Sequence, residues 1–477
     1  MFTRLFNFLT AKGRHAVTGK SSPVTNAVDP DFARLNEVSP LKKMSSQLQG
    51  SLKNDETTLE ENTLSTSVVR REAVLNNNQK VAGYYFTLTH GVNDRAHNIS
   101  ERIQRLYDEV LIGNILGMDI QRLLGHRLAF IPISPYSLKC QLIEQLPRKG
   151  VVLVLNTLAE LSHEDTRENA EYLARLVTLK NSGFRFGLEG DVTLPGLQPF
   201  LDLAEFVFID IGANDIPTIK SHIDVINKQA SNKSLVATNI RLLDEFHVCA
   251  KLPFHFAQGS FVSSREEWVV PAINTGRIKI LRLLNLIRQD ADNSELVEIF
   301  KQDPALSFKF LKYINSVGYG LVNKVHSIEQ ALPVLGHHNL YRWLTLILFT
   351  SGDENSLDWA LMENALIRAR LAELYASDSL SASELDELFV AGIFSLLDIL
   401  LQMPMEKVLD QISLPPLVVE ALLYKRGKYA PYLELALACE ESDQDRIVDL
   451  SSLIGLDLIQ VTAHQANALI WAVEASE

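Results

Sequence analysis

The sequence predicts a closed α/β barrel followed by an all-α domain. Three observations carry this expectation. From residue 67 to about 265, short apolar strands alternate with helices, giving eight strands in roughly 200 residues. From about Val269 onward the strand pattern stops, and every periodic segment is helical. Residues 1–66 follow neither pattern.

That first stretch is dominated by Ser, Thr, Asn, Asp and Glu and has no sustained apolar period, so a disordered leader is expected. Its start is amphipathic. Phe2, Leu5, Phe6 and Leu9 fall at helical spacing beside Arg4, Lys12 and Arg14. Residues 1–15 therefore offer a weak membrane contact or a docking peptide. The plainer reading is a leader that folds on its own protein or not at all.

The barrel, 67–265, opens with two strand-like runs flanking the turn Asn76-Asn77-Asn78, an antiparallel hairpin. A helix follows near Ser100–Ile112. Then come strand 127–133, helix 137–146 and strand 150–156. The next helix takes Ser162 as N-cap and stops at Gly183. Strands at 184–188, 205–211, 234–238 and 254–256, with helices near 215–229 and 241–251, complete the set. Short apolar strands separated by helices are the mark of a parallel sheet with helical crossovers.

The second domain, 266–477, is read as helices separated by short breaks with Gly, Asp and Pro. In its first helix Ile278, Leu281, Leu284 and Ile287 form the apolar stripe. Tyr313, Tyr341, Trp343 and Trp359 sit among apolar residues at helical spacing and are expected in the core.

Composition narrows the function. The 477 residues carry a net charge of −13, which argues against broad nucleic-acid binding. Three cysteines, Cys140, Cys249 and Cys439, are far apart, with neither disulfide nor zinc spacing. That usage fits a cytoplasmic protein. No apolar run reaches the length of a membrane span, and no signal peptide is evident.

A barrel of this kind keeps its reactive groups at the C-terminal ends of its strands. Reading those positions gives Tyr85, Thr87, Thr89 and His90, then Pro132 to Ser134, Val154 and Asn156. Glu189 to Asp191, Asp210, Thr238 and Asn239 follow. Glu189, Asp191 and Asp210 are the acidic candidates, few for a two-metal hydrolase. In the helical region His337-His338 point about 100° apart on a helix, so they do not readily share a metal.

Residues 257–263, AQGSFVS, resemble the closing FQGYFFS motif of the EAL domain, the family that hydrolyses cyclic di-GMP. Glu205 to Asp210 resembles the family's ADFVKID strand, and residues 80–88 align with the name-giving Glu-Ala-Leu segment. The resemblance covers about 67–265 and departs at the functional positions. By this alignment Tyr85 stands for the name-giving Glu, Pro132 for a metal-binding Asn and Val154 for a metal-binding Glu. Glu189 and Gly190 stand for the paired aspartates, Phe208 for the Lys of KxD, and Thr238 for a further Glu. What remains is the vestigial set Glu189, Asp210 and Gln258.

The helical region resembles a second family, the HDOD domain, a relative of HD phosphohydrolases. The match runs through Gln302 to Leu306, Leu311 to Ser316, Ile328 to Leu332, Leu335-Gly336, residues 368–370 and residues 390–398. Asp303 and Pro304 read as the start of a helix, Gly336 as a stop, and Asn315 as a residue bonding a neighbouring turn. Asp398 has no adjacent histidine.

A degenerate EAL barrel before an HDOD domain implies a bacterial signalling protein. The expectation is a non-catalytic adaptor, with no catalytic, metal or cofactor residues, acting through contacts with other signalling proteins in cyclic di-GMP or motility networks. The alternatives are a sensor that binds cyclic di-GMP without hydrolysis and a weak cyclic di-GMP phosphodiesterase.

Overall fold

A computed structural model of the chain describes residues 68–89, 100–156, 158–161, 167–194, 196–229, 232–265, 275–315, 324–351 and 357–476. The leader 1–66, His90 and Ser162 lie outside these residues.

Eight strands close into a barrel in sequence order. They are β1 (Val69–Asn76), β2 (Val81–Leu88), β3 (Leu128–Ile133), β4 (Val151–Leu155), β5 (Arg185–Glu189), β6 (Phe206–Asp210), β7 (Ser234–Ile240) and β8 (Phe256–Gly259). β1 runs antiparallel to both its neighbours, β2 and β8, and every other pairing is parallel. Helices covering the outside explain why β4, VVLVL, is buried at every position rather than alternating.

The interior is filled, not hollow. Val74, Tyr85, Phe130, Val152, Val154, Phe206, Phe208 and Val236 form one buried cluster. Phe130 lies edge-on to Phe206 at 5.2 Å and to Phe208 at 5.5 Å. Gly187 makes room for this plug, since a Cβ there would stand 2.7 Å from the Phe208 ring. Because side chains alternate along a strand, the next inward residues toward the C-terminal end are Glu189, Asp210 and Thr238.

Two predicted elements differ. Residues 137–146 form two short 3₁₀ turns, Pro135–Lys139 and Gln141–Gln145, in place of one helix. Leu138 and Ile143 are both fully buried, and five residues apart they do not share a helix face. The chain turns at Cys140, with φ −66° and ψ 128°, so that both reach the core. The last strand begins at Phe256, where the predicted one ended. His255 instead bonds Leu235 through both its backbone N–H and its ring Nδ1.

Helix α1 (Glu101–Leu116) is tied to the barrel by two side chains. Tyr107 accepts from the Leu88 N–H at 2.9 Å. Asp108 accepts from the Ser134 N–H at 2.8 Å and its hydroxyl at 2.7 Å. Burial pushes the Asp108 carboxyl up to about 6 against the pull of the Ser137 hydroxyl and of the Ser134 N–H and hydroxyl.

By its contacts the chain forms two compact units. One contains the barrel up to Ser264 together with residues 437–466; the other contains residues 265–436 and the chain from Asn467. Within the first, the Thr89 hydroxyl donates to Gln444 Oε1.

The second unit is helical throughout its described residues. Its long helix Asp358–Tyr375 is buried on nearly every side, as a central helix must be. The helix Ala382–Phe394 crosses it at Gly392, where a Cβ would lie 2.3 Å from Ala369 Cα. Leu340 to Phe349 is buried apart from Arg342, and Tyr313 stacks on Trp343 at 5.8 Å. Pro304 opens its helix under an Asp303 cap that accepts from the Leu306 N–H at 3.0 Å. Asn315 bonds the backbone of Val325 with both ends of its amide, at 2.7 and 2.8 Å.

Among the described residues no single helix is long and apolar enough to cross a membrane.

Candidate active site

The inward row at the C-terminal ends of the strands is polar. Its centre is Glu189, at the end of β5. Tyr85, on β2, donates its hydroxyl to Glu189 Oε2 at 2.5 Å. Burial, first of all, pushes the Glu189 carboxyl up to about 7. The Tyr85 bond opposes that shift, and the negative charges of Asp210 and Glu72 reinforce it. Tyr85 is itself driven well above its ordinary value by burial and by Glu189, so it stays a donor.

Asp210 ends β6. Its Oδ2 accepts from Asn239 Nδ2 at 2.7 Å and its Oδ1 from the Ala213 N–H at 3.0 Å. Asn239 adopts φ 58°, a left-handed conformation that asparagine tolerates better than most residues. Its N–H donates to Gln258 Oε1 at 3.1 Å. Gln258 in turn donates through Nε2 to Glu72 on β1, which also receives Arg70 at 2.5 Å. One hydrogen-bonded chain thus runs Asp210–Asn239–Gln258–Glu72–Arg70 across four strands, β6, β7, β8 and β1. Gly259 permits the close approach, because a Cβ there would meet the Ile240 carbonyl oxygen at 2.0 Å.

The structure brings Glu189, Asp210 and Gln258 to one mouth. Asp191 is exposed and turned to its own loop, accepting from the Thr193 N–H at 2.9 Å. Sequence reasoning missed Glu72, Arg70 and the role of Asn239. Alternation was the available signal: with Val74 inward, Glu72 and Arg70 follow at steps of two.

A divalent metal pair, which the EAL resemblance implies, does not fit these side chains. Among the described residues no group of three or more His, Cys, Asp or Glu is placed to hold a metal ion. Pro132 and Val154 bring no side-chain oxygen to the mouth, and each carboxylate present already has donors from the chain. Thr238 is 1% exposed, and its hydroxyl has no partner.

In the helical unit, Asp398 is buried. Its Oδ2 receives Arg265 Nε at 2.6 Å, while its Oδ1 has no partner. Arg265 also donates to the Ser395 carbonyl at 3.0 Å, and Arg368 to the Ser395 hydroxyl at 2.8 Å. His337 bonds Asn293 at 3.0 Å, whereas His338 faces Asp386 at 3.7 Å.

Residues 270–412 match the HDOD domain. The closed eight-stranded barrel, whose sequence resembles the EAL domain, thus precedes a region that matches the HDOD domain. Relatives match this chain over most of its length. The cyclic di-GMP phosphodiesterase CdgJ of Vibrio cholerae is 24% identical over 86% of this chain and 94% of its own. The protein YuxH of Bacillus subtilis is 24% identical over 84% and 97%. Among solved structures, the Bacillus subtilis YkuI protein in complex with cyclic di-GMP and calcium is 14% identical. It covers 45% of this chain and 58% of that one with a TM-score of 0.35. The EAL-domain protein of Listeria monocytogenes is 11% identical, covers 45% and 94%, and has a TM-score of 0.34.

The CdgJ match corrects one expectation. The sequence reading made the chain a non-enzyme, a pseudoenzyme with both metal sets lost. A relative that spans nearly its whole length is named a phosphodiesterase, so departures from the family's motif residues do not establish lost activity.

Proposed function

We propose that this chain is a cyclic di-GMP signalling protein that takes the dinucleotide at the mouth of its barrel. The observation that carries the reading is the near full-length match to a phosphodiesterase named for that substrate. The mouth supports it with chemistry. Hydrolysis of a phosphodiester needs a base that can accept a proton from water near neutral pH. Glu189, pushed up to about 7 and aimed by Tyr85, is such a group. Arg70 supplies positive charge on the inward row, and Thr238 an uncommitted hydroxyl.

Calorimetric titration of the full chain with cyclic di-GMP, with product analysis of the same samples, tests this. Binding that weakens at least about tenfold in Asp210→Ala is expected. Neither binding nor turnover in the wild type would overturn the reading.

Contacts with other signalling proteins, and a cytoplasmic location, belong to the same proposal. Phe308 and Tyr424, 68% and 60% exposed, are the most exposed large apolar side chains among the described residues of the helical unit, and a protein partner could cover them. Unchanged partner capture by the double variant Phe308→Ser, Tyr424→Ser would remove that role.

A further inference from the structure

We infer that the barrel mouth works without a divalent metal ion, its carboxylates being held by the chain's own donors. This rests on the proposed dinucleotide site and specifies how that site is charged.

A hard cation such as Mg²⁺ or Ca²⁺ takes six or more oxygens, and a catalytic metal pair needs bridging carboxylates about 3.5–4 Å apart. The mouth has three carboxylates, and each is engaged. Glu72 receives Arg70 and Gln258. Glu189 receives Tyr85. Asp210 receives Asn239 and the Ala213 N–H. A cation would have to displace these donors one by one. Releasing them would leave the polar groups of Tyr85 and Gln258 buried and unsatisfied, which opposes metal entry.

The inward positions beside these carboxylates are Pro132, Val154 and Phe208, whose side chains carry no oxygen. Phe208 also packs its ring against Tyr85 at 5.9 Å, fixing the phenol where a metal-binding carboxylate would stand in the EAL resemblance. A single neutral hydroxyl, Thr238, does not make a cation site; it is left to bond the ligand.

The test has two independent arms on the full chain, stripped of metal with chelator. In the first, Mn²⁺ is titrated and free ion read by electron paramagnetic resonance. No Mn²⁺ bound at the mouth is expected, so the wild type and Asp210→Asn should give the same curve. Stoichiometric Mn²⁺ uptake that Asp210→Asn abolishes would overturn the inference. In the second, cyclic di-GMP is titrated in excess chelator and again in Mg²⁺. Affinities equal within about twofold are expected. Binding that appears only with Mg²⁺ would overturn the inference. Binding in neither condition would defeat the proposed ligand, and the Mn²⁺ arm would still decide the metal.

Discussion

Tyr85 and Glu189, 104 residues apart in the chain, meet across the barrel at 2.5 Å, and this bond sets the character of the mouth. It holds a half-buried carboxyl in one orientation and keeps it from rising still further above the ordinary carboxylate range. Phe208 fixes the phenol from behind.

Removing the hydroxyl should therefore be felt as lost stability. In Tyr85→Phe, Glu189 loses its donor within a desolvated row. Denaturant unfolding at neutral pH should show a loss of about 1–3 kcal/mol. An unchanged midpoint would mean that water replaces the phenol freely.

Glu189 also makes stability depend on pH. Its ordinary value is 4.5 and its folded value about 7. Between those limits the folded chain holds a proton that the unfolded chain has released, so stability falls as pH rises through the window and levels off above it. Asp108, moved from 3.8 to about 6, acts in the same direction. Glu189→Gln removes the first contribution and keeps the second. The variant should gain on the wild type between pH 5 and pH 8 by about 1–3 kcal/mol. Parallel unfolding curves across that range would refute the assignment.

In the helical unit the sensitive pair is Arg265 and Asp398. Arg265→Ala leaves a buried carboxylate with neither oxygen paired. Because Arg265 is itself 46% exposed, water can partly compensate, and a loss of about 1–3 kcal/mol is expected. Asp398→Asn placed on top of Arg265→Ala should restore part of it. A double variant as unstable as the sum of the two singles would show that the two side chains act independently.

Gly392→Ala should be among the most damaging single methyl additions. The new carbon would lie 2.3 Å from Ala369 Cα, a backbone atom that cannot swing aside. The helices Asp358–Tyr375 and Ala382–Phe394 must separate, at a cost of about 1–3 kcal/mol or more. Thermal melting of the full chain reads this directly.

Much of the barrel was legible because its strands are short apolar runs between helices, and the HDOD match was legible because its motifs are ordered and continuous. The mouth was harder. Glu72 and Arg70 lie in VRREAVLN, where an inward charged pair looks like a solvated edge until the hairpin is closed against β8. Gln258 was recognised, but the final strand was placed over 254–256, which leaves it outside the row it belongs to. The inactivity expected from Tyr85, Pro132 and Val154 treated motif positions as the whole of the chemistry. The partners of Glu189 and Asp210 depend on which strand ends face one another, a property of closure rather than of local pattern.

Residues 437–466 cluster with the barrel, and Gln444 accepts from Thr89 at the end of β2. The barrel unit is thus discontinuous in sequence, interrupted by 265–436. Synthesis from the N-terminus delivers all eight strands well before the segment that completes their unit. A nascent chain stalled after Ala436 should accordingly hold a barrel more open to protease than the released protein. A single backbone nick within 265–436 should leave the fragment from 437 onward attached to the strands. In this chain the order of translation and the order of assembly differ, and residues 437–466 join a structure begun well before them.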